Sequence, residues 1–369
     1  MSKQAIPVQH EGPKTLLVGV YTPFNHVETQ EYYFDEFLNL IKTLEIKYQD
    51  SYFTKLRLVD NNMFFTKGKL EELQKICEEK QPELIIFSDL LSPVQERNLE
   101  NALSCEIMDR ERLILEIFKK SAHSSEGKIQ VEMAEIEYYK TRLIGKGREL
   151  SQQAGLIGTR GPGETAKEEM RRKLSEKIRQ AQKRVDTLVR SREIQRKKRI
   201  SSSTKMICII GYTNAGKSSL LNRIAKCDVP AENRLFATLD TTTRELFIDS
   251  KKIALISDTV GFISQLPHSL IDAFKSTLDE LRYSNLLLQV IDSSNPAWKS
   301  QIRIVQEILD ELEIKKPMIY VFNKIDLLTQ EQKEELYHEC ERYAPQVFIH
   351  TKSKEGVGVL IDFLSKYKF

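Results

Sequence analysis

The sequence predicts an α/β protein in which an N-terminal parallel α/β domain carries a long antiparallel helical hairpin and is followed by a second α/β domain with a doubly wound sheet. Apolar runs alternate with helical patterns up to about residue 123, strand character almost vanishes over 124–203, and further buried-strand patterns occupy 204–369. We therefore predict domains at 1–123, 124–203 and 204–369. A hydrophobic content of 40% over 369 residues is enough to fill more than one core.

The N-terminal part alternates strand and helix patterns. In chain order these are a strand at 15–21, a helix at 31–44, a strand near 56–60, a helix at 69–79 and a strand at 83–87. A third helix should follow Ser92 and Pro93, because serine is a favoured N-cap and proline a favoured first-turn residue. Alternation of this kind favours parallel strands covered by helices.

The second part contains two helical patterns separated by a loop. The later pattern has apolar residues spaced by three and four, which is typical of a coiled-coil seam. They are Met170, Leu174, Ile178, Ala181, Val185 and Leu188. The earlier pattern offers a partner stripe of Val131, Ala134, Ile136 and Leu143. An antiparallel hairpin is the simplest arrangement, and the loop at 155–165 has too many glycines for a helix, so we expect it at the exposed tip.

Positive charge is concentrated in the later helix. From Lys167 to Arg199, fourteen Lys or Arg residues stand against five Asp or Glu, a local charge of +9 in a chain whose net charge is +3. Two interpretations stay open, a solvated helix of mixed charge or a cationic stripe that faces RNA phosphates. The stretch has no aromatic residues to stack on bases, which favours phosphate contact over base readout.

The N-terminus lacks the apolar core of a signal peptide, and no run approaches the roughly 18 apolar residues of a membrane span. We expect a cytoplasmic protein, with a peripheral membrane-associated fraction as an open alternative. The cysteines lie far apart without metal-ligand spacing, which predicts reduced, mostly buried thiols. They are Cys77, Cys105, Cys208, Cys227 and Cys340.

The C-terminal part contains a phosphate-binding loop. An apolar strand at 206–210 leads into G-x-x-x-x-G-K-S and then an apolar-periodic helix, the context that this motif requires. Backbone N–H groups and the helix N-terminus should surround the β-phosphate, while Lys217 bridges the β- and γ-phosphates and Ser218 holds Mg²⁺. The predicted loop residues are Gly211, Tyr212, Thr213, Asn214, Ala215, Gly216, Lys217 and Ser218.

Two further strand ends complete a nucleotide site. After the strand at 253–257, Asp258 should reach the Mg²⁺ shell and the Gly261 amide should sense the γ-phosphate, although an ordinary strand-to-turn aspartate is the alternative. This segment comprises Asp258, Thr259, Val260 and Gly261. A later strand ends in Asn323, Lys324, Ile325 and Asp326. Asp326 can accept two hydrogen bonds from guanine that adenine cannot offer, which predicts GTP with rejection of the wrong base by roughly 10⁴-fold.

Switch I is predicted at 236–244, where a threonine would hold Mg²⁺ and release it when the γ-phosphate leaves. Its nucleotide-lining residues are Phe236, Ala237, Thr238, Leu239 and Asp240. Thr351 and Lys352 follow the last strand and should contact the base. The predicted catalytic residues are Lys217 and Gly261.

Phe262 stands where many small GTPases have a glutamine that orients the attacking water. Phenylalanine cannot hydrogen-bond a water molecule, which predicts slow intrinsic turnover and activation by a partner. The alternative is that another polar residue of the same domain takes over this role.

These residues resemble the HflX family, within the Obg-related group of ribosome-associated P-loop GTPases. The resemblance covers nearly the whole chain. It rests on SPVQERNLE at 92–100, MDRERLILEIF at 108–118, EGKIQVEMAEIEY at 126–138, GTRGPGET at 158–165, and FATLDTTTR with DTVGF. It implies a P-loop G domain in which Thr238 joins Ser218 as a ligand of Mg²⁺.

The resemblance further implies a Mg²⁺-dependent GTPase that binds the large ribosomal subunit or the 70S ribosome, is stimulated there, and splits or rescues stalled or idle ribosomes under stress. The implied partner is ribosomal RNA near the peptidyl-transferase centre, and we expect a monomer. The implied contacts are the basic helix and the tip residues Gly158, Thr159, Arg160, Gly161, Pro162 and Gly163.

The chain departs from the family pattern in three respects. Thr241 stands where proline is frequent, HTK at 350–352 replaces the usual S-A-x, and the sequence ends soon after the G domain, where some members carry a further domain.

Two other functions stay open. One is a nucleotide-gated protein–protein switch, and the other is an RNA-remodelling ATPase with an N-terminal site, although that part has no G-x-x-x-x-G-K-S/T motif.

Overall fold

The structure is a computed structural model. It describes residues 13–25, 29–152, 169, 171–187, 204–225, 235–236, 242–267, 270 and 275–368, without the side chains of 143–152, 275–277 and 279.

The first sheet has four parallel strands in the order β2-β1-β3-β4. The strands are β1 (Thr15–Tyr21), β2 (Asp50–Lys55), β3 (Leu84–Phe87) and β4 (Glu106–Met108). The predicted parallel sheet is confirmed, but the strand predicted near 56–60 was wrong. The strand in this part of the chain is β2, which ends earlier, at Lys55. It lies at the sheet edge, so its exposed and covered residues alternate instead of forming an apolar run. Leu56 packs in the core beyond the strand end, and Leu58 is 75% exposed.

Helices cover this sheet. They are α1 (Gln30–Leu44), α2 (Lys67–Lys80), α3 (Pro93–Leu103) and α4 (Arg110–Ser121). The predicted helices α1, α2 and α3 are confirmed. Ser92 begins α3 through a capping box, because its side chain accepts from the Gln95 amide and the Gln95 side chain bonds back to the Ser92 backbone.

The helical part consists of α5 (Ser125–Gln152) and α6 (171–187). Ala181 and Val185 of α6 pack with Ile129 and Met133 near the start of α5, so the two helices run antiparallel. The predicted hairpin is therefore confirmed, but the partner stripe was wrong at Val131 and Ala134, which face the N-terminal core instead. The physical reason is that α5 has two neighbours and carries an apolar face for each. Met170, Leu188 and the loop at 155–165 lie outside the described residues.

The second sheet has six strands in the order β10-β9-β8-β5-β7-β6, with β6 antiparallel to β7 and the other pairs parallel. The strands are β5 (Met206–Gly211), β6 (Thr242–Ile248), β7 (Lys251–Asp258), β8 (Leu286–Asp292), β9 (Met318–Asn323) and β10 (Gln346–Phe348). The helices are α7 (Lys217–Ala225), α8 (Lys275–Arg282), α9 (Trp298–Glu311), α10 (Gln330–Glu339) and α11 (Gly358–Lys366). The predicted doubly wound domain is confirmed.

One hydrophobic cluster extends from the first sheet to the second. It joins Phe37 and Phe118 of the N-terminal helices to Phe236 and Phe262 of the C-terminal part. The rings of Phe118 and Phe236 meet edge to face with centroids 4.6 Å apart. The two α/β parts therefore share buried apolar surface, which stabilises their contact.

No helix in the described part of the chain is both long and apolar enough to cross a membrane. The four described cysteines are free thiols, of which Cys77, Cys208 and Cys340 are buried and Cys105 is half-buried. Cys227 lies outside the described residues.

Candidate functional site

The phosphate loop connects β5 to α7 at the carboxyl edge of the second sheet. Gly211 and Gly216 both have positive φ, +148° and +96°. A Cβ atom at Gly211 would collide with the Val290 carbonyl, and one at Gly216 with the Asn323 side chain. Both positions therefore require glycine, which lets the loop turn tightly between the two neighbouring strands.

Lys217 is buried at the first position of α7, and its ammonium donates to the Tyr212 carbonyl at 2.8 Å. Burial lowers the pKa of Lys217 to about 8, while the nearby Asp258 carboxylate acts in the opposite direction. A phosphate would supply the negative charge that this buried ammonium needs. Its location at the helix N-terminus suits the role predicted for it.

Ser218 and Asp258 adjoin at the position predicted for Mg²⁺. The Ser218 hydroxyl donates to Asp258 Oδ2 at 2.6 Å, and the Thr259 amide donates to Asp258 Oδ1 at 2.9 Å. A hydroxyl and a carboxylate on adjacent elements are the oxygen ligands that Mg²⁺ prefers, so the residues present fit this ion. Thr238, the other predicted ligand, lies outside the described residues.

Gly261 lies against the phosphate loop. A Cβ atom there would be 2.8 Å from Thr213 Cγ2 and 2.9 Å from Lys217 Nζ. The next residue continues this contact, because the Thr213 amide donates to the Phe262 carbonyl at 2.7 Å and the Phe262 amide to the Gly211 carbonyl at 3.1 Å. The segment after Asp258 is thus hydrogen-bonded directly to the loop that should surround the phosphates.

Phe262 is only 2% exposed and belongs to the hydrophobic cluster between the two sheets. Its side chain is a core contact, so position 262 supplies no polar group toward an attacking water. Phe236 is placed similarly, because it packs on Phe118. Only the backbone of Phe236 is therefore left to contact the nucleotide. The other predicted switch I residues, Ala237, Leu239 and Asp240, lie outside the described residues.

Three loops meet at the end of the site that is predicted to bind the base. Asn323 donates to the Ala215 carbonyl at 2.9 Å, and Lys324 donates to the Asn214 carbonyl at 2.9 Å. Asp326 pairs with Lys352 at 2.6 Å. Although partial burial acts to raise the pKa of Asp326, the hydrogen bond from Lys352 lowers it overall, which keeps the carboxylate ionised as a hydrogen-bond acceptor.

Two residues of this site had not been predicted. Asp292, at the end of β8, pairs with Lys324 at 2.6 Å. Arg223 of α7 donates to the carbonyls of Thr351 and Lys352 at 2.8 and 2.7 Å, which fixes the last loop. Asp292 could have been found from its place at the carboxyl end of a buried strand, where ligands of open α/β sheets bind. The sequence offers no comparable signal for Arg223.

Three family descriptions match consecutive parts of the chain. "GTP-binding GTPase N-terminal" matches residues 31–119, "GTP-binding GTPase Middle Region" matches 121–199, and "50S ribosome-binding GTPase" matches 206–324.

Relatives match over most of their length. GTPase HflX of Caldanaerobacter subterraneus subsp. tengcongensis is 42% identical over 316 residues, covering 85% of this chain and 72% of the relative. GTPase HflX of Escherichia coli K12 is 39% identical over 304 residues, covering 82% and 71%. A crystal structure of a GTP-binding protein from Sulfolobus solfataricus in complex with GDP is 23% identical, covers 96% of this chain and 98% of that one, and has a TM-score of 0.47. The chain belongs to the HflX family of GTPases.

Proposed function

We propose that this GTPase binds the large ribosomal subunit in its GTP form, hydrolyses GTP in a Mg²⁺-dependent reaction that the ribosome stimulates, and thereby splits or rescues stalled or idle ribosomes under stress. The observation that carries the catalytic part is the meeting of Lys217, the Ser218–Asp258 pair and Gly261 at one end of the site. Asp326 at the other end supplies the acceptor that guanine requires.

Catalysis would be positional and electrostatic. The Lys217 ammonium and the amides of the phosphate loop stabilise the charge that develops during phosphoryl transfer. Mg²⁺, held by Ser218 and Thr238 with Asp258 nearby, would neutralise the β- and γ-phosphate oxygens. Because Phe262 is committed to the core, ribosomal contact should supply the missing help with the attacking water.

Docking is assigned to the helical hairpin. Three exposed arginines share one face of α6 and line a shallow groove with Ser175 and Glu176. They are Arg171, Arg172 and Arg179. A basic face of this kind suits phosphate oxygens of RNA. The tip at 158–163, outside the described residues, would reach ribosomal RNA beyond this face. We propose the units 1–123, 124–203 and 204–369, acting as a monomer in the cytoplasm.

The proposal is tested by two variants of the full chain. Lys217→Ala should abolish GTP turnover and nucleotide-dependent ribosome binding, because it removes the ammonium at the phosphates. Deletion of 158–163 should leave binding of a fluorescent GDP analogue intact but remove ribosome stimulation. If the deletion variant were still stimulated in full, the docking assignment would be wrong.

A further inference from the structure

The carboxyl edge of the N-terminal sheet contacts the G domain where such a sheet would ordinarily bind a ligand. In the order β2-β1-β3-β4 the chain goes from β1 to β2 on one side of β1, and then crosses to β3 and β4 on the other side. The topological switch point therefore lies between β1 and β3. Ligands of open α/β sheets bind beside that point. Here the neighbouring groups are Ser264 and Gln265, which follow Gly261 in the chain.

The contact is made by buried side chains of α1 and α4. Arg110 is completely buried, and its guanidinium donates to the Ser264 carbonyl at 3.0 Å and to the Ser88 carbonyl at 3.3 Å. Glu36 forms an ion pair with Arg110 and accepts from the Ser264 hydroxyl. The Tyr33 hydroxyl lies 2.8 Å from the Ser88 carbonyl and 3.1 Å from Gln265 Oε1.

Tyr212 joins this cluster to the phosphate loop. Its hydroxyl accepts from the Ser264 amide at 2.6 Å and donates to Glu36. Its own carbonyl accepts from Lys217 at 2.8 Å. Burial holds the pKa of Tyr212 well above its usual range, so the hydroxyl stays protonated and can keep donating to Glu36.

Every polar group of Ser264 thus has a partner outside its own segment: the amide bonds to Tyr212, the carbonyl to Arg110 and the hydroxyl to Glu36. Buried charges that are paired and hydrogen-bonded resist displacement, because moving one partner leaves the other unsatisfied. The position of Gly261 relative to Lys217 is therefore restrained by residues of the N-terminal part as well as by the phosphate loop.

We propose that Tyr212 is a positioning residue for GTP hydrolysis, and that with Glu36 and Arg110 it fixes the segment after Gly261 against the phosphate loop. The inference rests on the proposed function, because it assumes that Gly261 contacts the γ-phosphate. Loss of the Tyr212 hydroxyl should lower kcat about tenfold or more, since small misplacements near reacting atoms are costly. The KM for GTP and the affinity for GDP should change less than about twofold, because the loop amides and Asp326 are untouched.

The experiment measures kcat and KM for GTP, and GDP affinity, in full-length Tyr212→Phe, Glu36→Gln and the double variant. If Tyr212 and Glu36 act through one cluster, the kcat of the double variant should be only slightly lower than that of the worse single variant. Tyr138→Phe is the matched control, because it removes the hydroxyl of another buried tyrosine, which bonds to Asp109 at 3.0 Å. Its kcat should equal that of the unaltered chain.

An unchanged or raised kcat in Tyr212→Phe would overturn the inference, and so would an equal loss in Tyr138→Phe. Should Tyr212→Phe fail to fold, Ser264→Ala tests the same cluster. It removes only the Ser264 hydroxyl, which donates to the other carboxylate oxygen of Glu36. Lys217→Ala separates the two ideas. Turnover that survives Lys217→Ala defeats the proposed function, whereas turnover that Lys217→Ala abolishes and Tyr212→Phe leaves unchanged defeats only the positioning role.

Discussion

At the scale of single residues, the nucleotide site depends on how closely the backbone of one segment approaches another. Gly261 lies so near Thr213 and Lys217 that even a methyl group would meet both side chains within 3 Å. Lys217 is held by the Tyr212 carbonyl, and neither partner of this contact is exposed. We therefore expect the site to be sensitive to the addition of a single methyl group.

Gly261→Ala should lower kcat for GTP by about 10²-fold, because the added methyl group displaces either Lys217 or the amide predicted to contact the γ-phosphate. Affinity for GDP should fall much less than kcat, because the loop amides predicted to surround the β-phosphate are retained. Steady-state turnover and binding of a fluorescent GDP analogue measure the two effects. Gly358→Ala is the matched control, since a Cβ atom there meets nothing within 4 Å. Equal turnover in the two variants would contradict the assignment of Gly261.

Asp326→Asn should reduce the preference for GTP over ATP by at least about 10²-fold, because the amide can no longer accept from both guanine donors. Competition of each nucleotide against a fluorescent GDP analogue gives the ratio. The exposed Asp362→Asn on α11 makes the same chemical change away from the site and should preserve the preference. A GTP preference that persisted in Asp326→Asn would place the base elsewhere.

The three contiguous segments of the candidate site begin where the sequence predicts, because Gly211, Asp258 and Asn323 are the last residues of β5, β7 and β9. The binding roles of these segments stay predictions. The sequence could not predict contacts between distant segments. Arg110 and Ser264 are 154 positions apart, and Glu36 and Ser264 are 228 positions apart. The local sequence pattern of each segment does not indicate which distant segment it contacts.

At the scale of elements, α5 shows why the hairpin was predicted in outline but not in its packing. Ile129 and Met133 contact α6, whereas Val131 and Ala134 contact the N-terminal core. A helix packed on two sides has no single apolar stripe, so periodicity alone cannot say which neighbour each residue meets. The edge strand β2 was misplaced for a related reason, since its exposed face breaks the apolar run.

The exposed arginines of α6 should govern the salt dependence of ribosome binding. Replacing Arg171, Arg172 and Arg179 by alanine should weaken binding of large subunits and reduce the slope of log affinity against log salt by about 1 per lost phosphate contact. Filter binding over a salt series measures this slope. As a control, alanine at the exposed Lys67, Lys75 and Lys80 of α2 removes the same charge elsewhere. Equal slopes for the two triple variants would favour a solvated helix.

At the scale of the whole molecule, the two α/β parts share one hydrophobic cluster and one buried polar cluster. Phe236 of the predicted switch I and Phe262, which follows Gly261, belong to the hydrophobic cluster, and Ser264 belongs to the polar cluster. Both segments therefore border the N-terminal part. The hairpin is joined to that same part through Val131 and Ala134. A nucleotide-dependent change near Gly261 therefore has a continuous physical connection to the proposed ribosome-binding hairpin.

GTP turnover by the full chain, with and without large ribosomal subunits over a series of salt concentrations, tests the central claim most directly. We predict slow turnover alone, marked stimulation by the subunits at low salt, and loss of that stimulation as salt rises. Lys217→Ala measured in parallel sets the background. Turnover that stays slow and unchanged with subunits at every salt concentration would contradict a ribosome-stimulated GTPase.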